Sequence, residues 1–252
     1  MSKAGEPLLR HEPRRTEKTS ERIARRILRD IGERRLAPGT FLESEAVMAE
    51  AFGVGRASVR EALRILEING LVTIKTGPGG GPVVATPSTS DYGQMTTLHL
   101  QAMGTTYREL LQARVNVESL LAGLAAARPG PEAGRLVTAA LEAGQLNSQS
   151  DDTTYANSHS EFHAAVSQAA GDPVLALSAN AFRHIWSVRV TAVLFPPDQR
   201  PSIAAAHDTV ARAIVAHDRR EAEWLMRQHM EFYQQYCELR YPARLDDIVD
   251  WG

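Results

Sequence analysis

Among 252 residues there is a single cysteine, Cys237, so no intrachain disulfide can form, and a reducing cytoplasm is the expected compartment. No uncharged apolar run approaches the ~18 residues that a membrane-spanning helix needs. The opening MSKAGEPLLRHEPRR lacks an apolar core, which excludes a secretory signal and leaves residues 1–16 as a flexible tail. No internal repeat is visible, and the only low-complexity tract is the glycine-rich GPGGGP at 77–82.

What remains is ordinary in amount and uneven in distribution. Hydrophobic residues make up 43% and charged residues 23%, enough to bury a real core in one large domain or two small ones. The net charge of −2 hides an asymmetry: residues 1–76 hold 15 Lys+Arg against 11 Asp+Glu, and the rest hold 13 against 19. A basic front and an acidic back suggest a polyanionic partner that only the front touches, with chance composition as the alternative.

The front has the order helix, helix, turn, helix, two-stranded ribbon. Residues 18–35 place Ile23, Ile27, Leu28 and Ile31 at helical spacing, and LAPGT at 36–40 breaks the pattern. Ser44 caps a short helix over 44–52 with Val47, Met48 and Phe52 inside, and Gly53 stops it. A third helix over 57–69 carries Val59, Ala62, Leu63 and Leu66 on its apolar face, followed by Gly70. LVTIK at 71–75 and VVA at 83–85 are strand-like, flanking the glycines. This is the winged helix-turn-helix order. Arg60 and Arg64 lie beside the apolar stripe of the third helix, Arg56 stands at its entrance and Ser58 in its first turn. A guanidinium can bond guanine O6 and N7 together or grip phosphate, and Lys75 adds charge at the wing. A merely solvated arginine face is the alternative.

Residues 87–105 read as a linker with room for a short helix, polar and scattered with Ser, Thr and Gly, where domain orientation can change. Beyond it, helices fit 107–127, 132–148, 152–170, 173–193, 202–217 and 219–239, joined by short links that imply an antiparallel all-α bundle over 106–240. Residues 241–252 read as a tail. Within the bundle, HSEFH at 159–163 puts two imidazoles one helical turn apart. A metalloprotease helix needs Glu directly after the first His; Ser160 stands there, and Glu161 points elsewhere. A hydrolytic metal centre lacks a general base, so no catalytic residues are assigned and the chain is read as a non-enzyme.

The stretch LAPGTFLESEAVMAEAFGVGRASVREALRILEINGLVTIKTGPGGGPVV, 36–84, resembles the winged helix-turn-helix of the GntR family of bacterial transcription regulators. Leu36-x-Pro-Gly, Ser44-Glu45, Gly53-Val54-x-Arg56, Val59-Arg60-Glu61-Ala62-Leu63 and Gly70-Leu71 carry the likeness. It implies a DNA-binding domain over 17–86 with Arg56 and Arg60 as main contacts, helped by Ser58 and the wing at Thr76–Gly77. Gly55 stands where a serine is usual, and Ala46 where many members have arginine.

Residues 106–240 resemble the FCD ligand-binding domain of the fatty-acid-regulator subfamily, through ARVNVESLLAGLAA, HSEFHAAVSQAAGDPVL and AAHDTVARAIVAHDRREAEWLMRQHM. That likeness implies a divalent transition metal, zinc or nickel, held by His159, His163, His207 and His229, with His159 replacing the usual aspartate. Four neutral ligands favour nitrogen-loving ions and leave the full +2 charge for an anionic effector; a metal-free histidine pocket is the competing reading. Arg114 matches an arginine that holds an effector carboxylate, or else pairs with Glu118 one turn on. The expected protein is a mainly α, homodimeric transcription regulator on a pseudo-palindromic duplex operator, controlled by a small carboxylate metabolite. An architectural DNA-binding dimer without effector is the rival.

Overall fold

In a computed structural model the chain divides into two compact units between residues 88 and 89. Residues 18–86, 88–146, 150–189 and 197–250 are described; the readings of residues 1–16 as a flexible tail and of 190–193 as helix lie outside them.

The first unit contains α1 (Thr19–Glu33), α2 (Glu45–Phe52), α3 (Arg56–Ile68), β1 (Val72–Lys75) and β2 (Gly81–Val84). Ile23 and Ile27 of α1, Met48 of α2 and Val59, Ala62, Leu63 and Leu66 of α3 close one apolar core. Leu28 and Val47, expected inside, are 42% and 47% exposed. Each neighbours a residue that faces the core, Ile27 and Met48, and a step of one residue turns the side chain about 100° away. The Ser44 hydroxyl accepts from the Val47 amide and caps α2, while Gly53 ends it at φ 64°, a left-handed position that glycine occupies without strain. β1 and β2 pair antiparallel, from Val72 opposite Val84 to Lys75 opposite Gly81.

The second unit is helical: α4 (Thr89–Ala102), α5 (Tyr107–Ala127), α6 (Glu132–Leu146), α7 (Asp152–Ala169), α8 (Pro173–Arg189), α9 (Arg200–Val215), α10 (Arg219–Arg240) and the short α11 (Pro242–Asp246). α5 is the central helix. Thr106 and Glu109 form a reciprocal capping box at its start, and it packs against α7, α8, α9 and α10. Leu111, Val115, Leu121, Ala122, Ala125 and Ala126 are fully buried. The small residues on α5 let those neighbours approach from several sides. Asp151 caps α7 and Asp218 caps α10, each accepting first-turn amides.

Two segments differ from the sequence reading. The stretch 89–102 is the 14-residue helix α4, packed on α8, where the sequence reads as a linker with room for a short helix. Its buried residues are Gly93 and Thr97, one turn apart, and Leu100 packs on the core beside them. A Cβ at Gly93 would stand 2.9 Å from His184 Cδ2, and the buried Thr97 hydroxyl bonds back to the Gly93 carbonyl at 2.7 Å. Small and self-satisfied residues bury a helix without raising its hydropathy. The tail beyond 240 is docked as far as Val249: Leu245 and Val249 are buried, and the Tyr107 and Val249 amides donate to the Asp247 and Thr105 carbonyls at 3.1 and 2.9 Å.

Candidate metal centre and nucleic-acid interface

Three helices of the second unit deliver the four histidines to one place: His159 and His163 from α7, His207 from α9 and His229 from α10. One ring nitrogen from each lies within 4.8 Å of the others. The His229 Nε2 is 3.3 Å from both His163 Nε2 and His207 Nε2. A tetrahedral ion with bonds of about 2.0–2.1 Å has edges of roughly 3.3–3.4 Å between ligand nitrogens, so those two spacings fit such an ion. Phe162 stacks on His207 at a centroid distance of 4.0 Å. His163, His207 and His229 are buried and His159 is partly buried.

Behind the cluster lies a carboxylate from α5. Glu118 Oε2 is 2.5 Å from His163 Nδ1, and its Oε1 accepts from Arg114 Nε at 2.8 Å. The Glu118 contact draws the proton to His163 Nδ1 and leaves Nε2 with its lone pair toward the other imidazoles, the arrangement by which outer carboxylates orient metal-ligating histidines. Burial disfavours the Glu118 charge, yet Arg114, His163 and Arg183 outweigh it and hold the carboxyl well below its usual range. Burial lowers all four imidazoles, His229 to about 3; the neighbouring imidazoles add to the effect at His159, His207 and His229, and Arg114 and Arg183 add to it at His163 against the pull of Glu118. They are therefore neutral donors at pH 7, as a metal ligand must be. The donor set fits a nitrogen-preferring divalent ion.

Arg114 is 4% exposed and its guanidinium lies over Trp186 at 5.8 Å. The pair with Glu118 is formed, but in the interior rather than on a helix surface. Trp186 is core, its Nε1 donating to Tyr233 Oη at 2.9 Å, whereas Trp224 is 54% exposed. His99 and His217 stand apart, bonded to the carbonyls of Met95 and Ala126, and His184 packs on Gly93. Asp152 pairs with Arg200 and stays out of the cluster. Beside His159 and His229, the free space bounded by Ile203, Phe232, Tyr233 and Tyr236 is about 20 Å³, room for one water-sized molecule. A groove of about 590 Å³ elsewhere, between Gly134 and Val215, contains none of the four histidines.

Sequence reasoning missed two members of this neighbourhood. Glu118 entered only as a surface partner for Arg114, although its spacing of four from an arginine on an otherwise apolar helix was a signal of a buried pair. Arg183 drew no notice, and nothing in its local sequence marks it.

In the first unit Arg56, Arg60 and Arg64 of α3 are exposed, as are Lys75, Thr76 and Gly77 of the wing, and Ser58 is half-buried. Arg60 is clamped to Glu45 of α2, Nε and Nη2 donating to the two carboxylate oxygens at 3.3 and 2.8 Å. Lys75 Nζ lies over the Phe41 ring at 5.1 Å. Gly55 precedes α3 without a side-chain cap, so the first-turn amides keep no hydroxyl partner from that position. In the wing, Gly77 and Gly79 have φ 96° and 76°, values that favour glycine.

Comparison with known proteins finds two family matches. A family described as "Bacterial regulatory proteins, gntR family" matches residues 19–80, and the "FCD domain" matches 109–232. The "HTH-type transcriptional repressor NanR" of Enterobacter sp. (strain 638) is 29% identical over 243 residues, covering 88% of this chain and 86% of its own. An "uncharacterized HTH-type transcriptional regulator" of Mycobacterium tuberculosis is 33% identical over 135 residues, 53% of this chain and 55% of that protein. The solved structure of Streptococcus agalactiae GntR superposes with a TM-score of 0.67 at 21% identity, over 86% of this chain and 99% of that one, a likeness of fold.

Proposed function

The chain belongs to the GntR family of bacterial regulatory proteins, with an FCD domain behind its winged helix, and from that premise we propose a transcription regulator whose operator affinity is set by a small carboxylate bound beside a divalent metal ion. The observation that carries the metal reading is the gathering of His159, His163, His207 and His229 within 4.8 Å, with Glu118 behind one of them. Zinc or nickel held there would supply a +2 charge to polarise and anchor an anionic oxygen. The protein's own residues do the rest: Glu118 fixes the His163 ring, Phe162 braces His207, and Arg114 holds the Glu118 charge in place while offering its remaining amino groups to an effector carboxylate.

On the DNA side, α3 enters the major groove, with Arg56, Arg60 and Arg64 reading bases and phosphates. Ser58 and the α3 amides take a phosphate, and Lys75, Thr76 and Gly77 of the wing follow the adjoining backbone. A two-fold dimer on a pseudo-palindromic site follows from symmetry. Effector and operator influence each other only through a difference in affinity between two states of the protein, which makes the coupling reciprocal.

The test of the metal is elemental analysis of protein purified without chelator or a nickel column. About one equivalent per chain is expected, falling in a variant with all four histidines replaced; less than a tenth of an equivalent, the same in both proteins, refutes it. The test of DNA binding is fluorescence anisotropy on the protein's own upstream region against random duplex. Arg60→Ala is expected to lose roughly ten- to a hundredfold of the preference, and an unchanged preference removes α3 as the reading helix.

A further inference from the structure

We propose that Arg183, on α8, is a second anion anchor of the effector site beside Arg114, taking one oxygen of a small carboxylate. The proposal rests on the preceding reading that the second unit binds an anionic effector, and it adds a residue that neither the sequence pattern nor the family likeness assigns.

The geometry separates the two interior arginines near the cluster. Arg114 already has a carboxylate, Glu118, at 2.8 Å. Arg183 is 7% exposed and its hydrogen-bond partners are neutral: Nε donates to Ser160 Oγ at 3.1 Å, and Nη2 donates to Asn180 Oδ1; the Glu118 charge that acts on it is shared with Arg114 and His163. The Arg183 Nη1 is buried and has no hydrogen-bond partner among the described residues. No carboxylate among the described residues forms an ion pair with it. Ser160 directly follows His159, so the guanidinium is tied to the same turn of α7 as the cluster, and its charge reaches both Glu118 and His163.

Charge balance then selects the ligand. Among the described residues buried in this unit, Arg114, Arg183 and Arg200 are cationic and Glu118 anionic, while Asp152 serves Arg200. With neutral imidazoles, one positive charge is left over in the interior, and a divalent ion would raise the excess by two. Burial lowers the Arg183 pKa only to about 10, so the charge persists at pH 7. One Glu118 carboxylate offsets only one of the two guanidiniums that act on it; the remaining interior charge is unfavourable, and an unmade hydrogen bond adds to the cost. A small oxyanion removes both defects. With Nε and Nη2 occupied, the contact at Nη1 is a single charge-assisted hydrogen bond; the space of about 20 Å³ beside the cluster admits a carboxylate ligand only as the surrounding side chains give way, and the excess charge favours ligands with more than one carboxylate.

The experiment uses full-length wild type, Arg183→Gln and Arg183→Lys, each loaded with zinc and assayed for metal content, then titrated with acetate, lactate, succinate, citrate and inorganic phosphate by thermal shift and calorimetry. Wild type is expected to be stabilised by at least one di- or tricarboxylate more than by acetate. Arg183→Gln is expected to lose at least tenfold in that affinity at unchanged metal content, and Arg183→Lys to lose less, because it keeps the charge without the fork. Equal affinity in wild type and Arg183→Gln overturns the proposal; so does a wild type that answers to none of the carboxylates at millimolar concentration, or to phosphate alone. Should Arg183→Gln fail to fold, an Arg183→Lys protein with wild-type affinity for every anion and no loss at the preferred one counts equally against it. If wild type holds no metal but its carboxylate binding still depends on Arg183, the metal reading falls and this one stands.

Discussion

Glu118→Gln is the most informative single change in the second unit. The substitution preserves size, so it opens no cavity and isolates charge. In the native interior the carboxylate, 2% exposed, meets Arg114 at 2.8 Å and His163 at 2.5 Å. Without it Arg114 and Arg183 share the interior with no anion. Removing one partner of a buried pair costs about 3–5 kcal/mol, which for a unit of this size lowers Tm by roughly 6–20 °C. All three tryptophans, Trp186, Trp224 and Trp251, lie beyond residue 88 in the sequence, so fluorescence-detected melting has no reporter in the first unit, and Trp186 lies against Arg114. The double variant Arg114→Met/Glu118→Gln removes both charges and is expected to regain most of the stability, since neutral replacement of a whole buried pair is often nearly neutral. Its metal affinity should stay about 10- to 100-fold down, because His163 still lacks its carboxylate. A Glu118→Gln protein within about 1 kcal/mol of wild type, the range of an exposed pair, would refute the reasoning that this carboxylate neutralises a buried cationic centre.

Three further expectations concern other parts of the chain. Glu45→Gln releases Arg60 from its two-point clamp; affinity for random duplex should rise and the salt dependence steepen by up to about one counterion, and an unchanged salt slope contradicts this. Gly80→Ala sets a Cβ 2.2 Å from the Lys75 carbonyl oxygen, a backbone clash that must reshape the wing turn. Duplex binding should weaken while the tryptophan-detected Tm holds, and wild-type binding would show that the wing does not touch DNA. The Cys237 thiol is fully buried and pushed up to about 12 by that burial, so Ellman's reagent at pH 8 should find no thiol in native protein and one per chain in denaturant. Rapid reaction of the native protein would contradict the burial.

Much of the architecture was legible from local pattern alone. The helix periods, the Ser44 cap, the Gly53 stop and the glycine-rich wing are set by residues close in sequence, and the helices α1 to α3 and α5 to α10 lie close to where periodicity put them. What periodicity cannot weigh is burial by small residues, and so α4, seated through Gly93 and Thr97, read as linker, and the tail that docks Leu245 and Val249 read as loose.

The residues of HSEFH determined by themselves that this is no metalloprotease helix, since the residue after the first histidine is a serine. Whether His207 and His229, 44 and 66 residues beyond His163, meet that turn is a matter of helix packing, which a linear pattern does not encode. The same holds for charge. Arg114 and Glu118 on one helix face read equally well as a surface pair, and Arg183 as any solvated arginine, until α5 and α8 were packed into a common interior. Burial changes the meaning of those side chains because a charge is cheap in water and must find a counter-charge out of it. The sequence by itself determined which helices exist and which chemistry they carry; only the tertiary structure decided which of those groups share a solvent-poor interior.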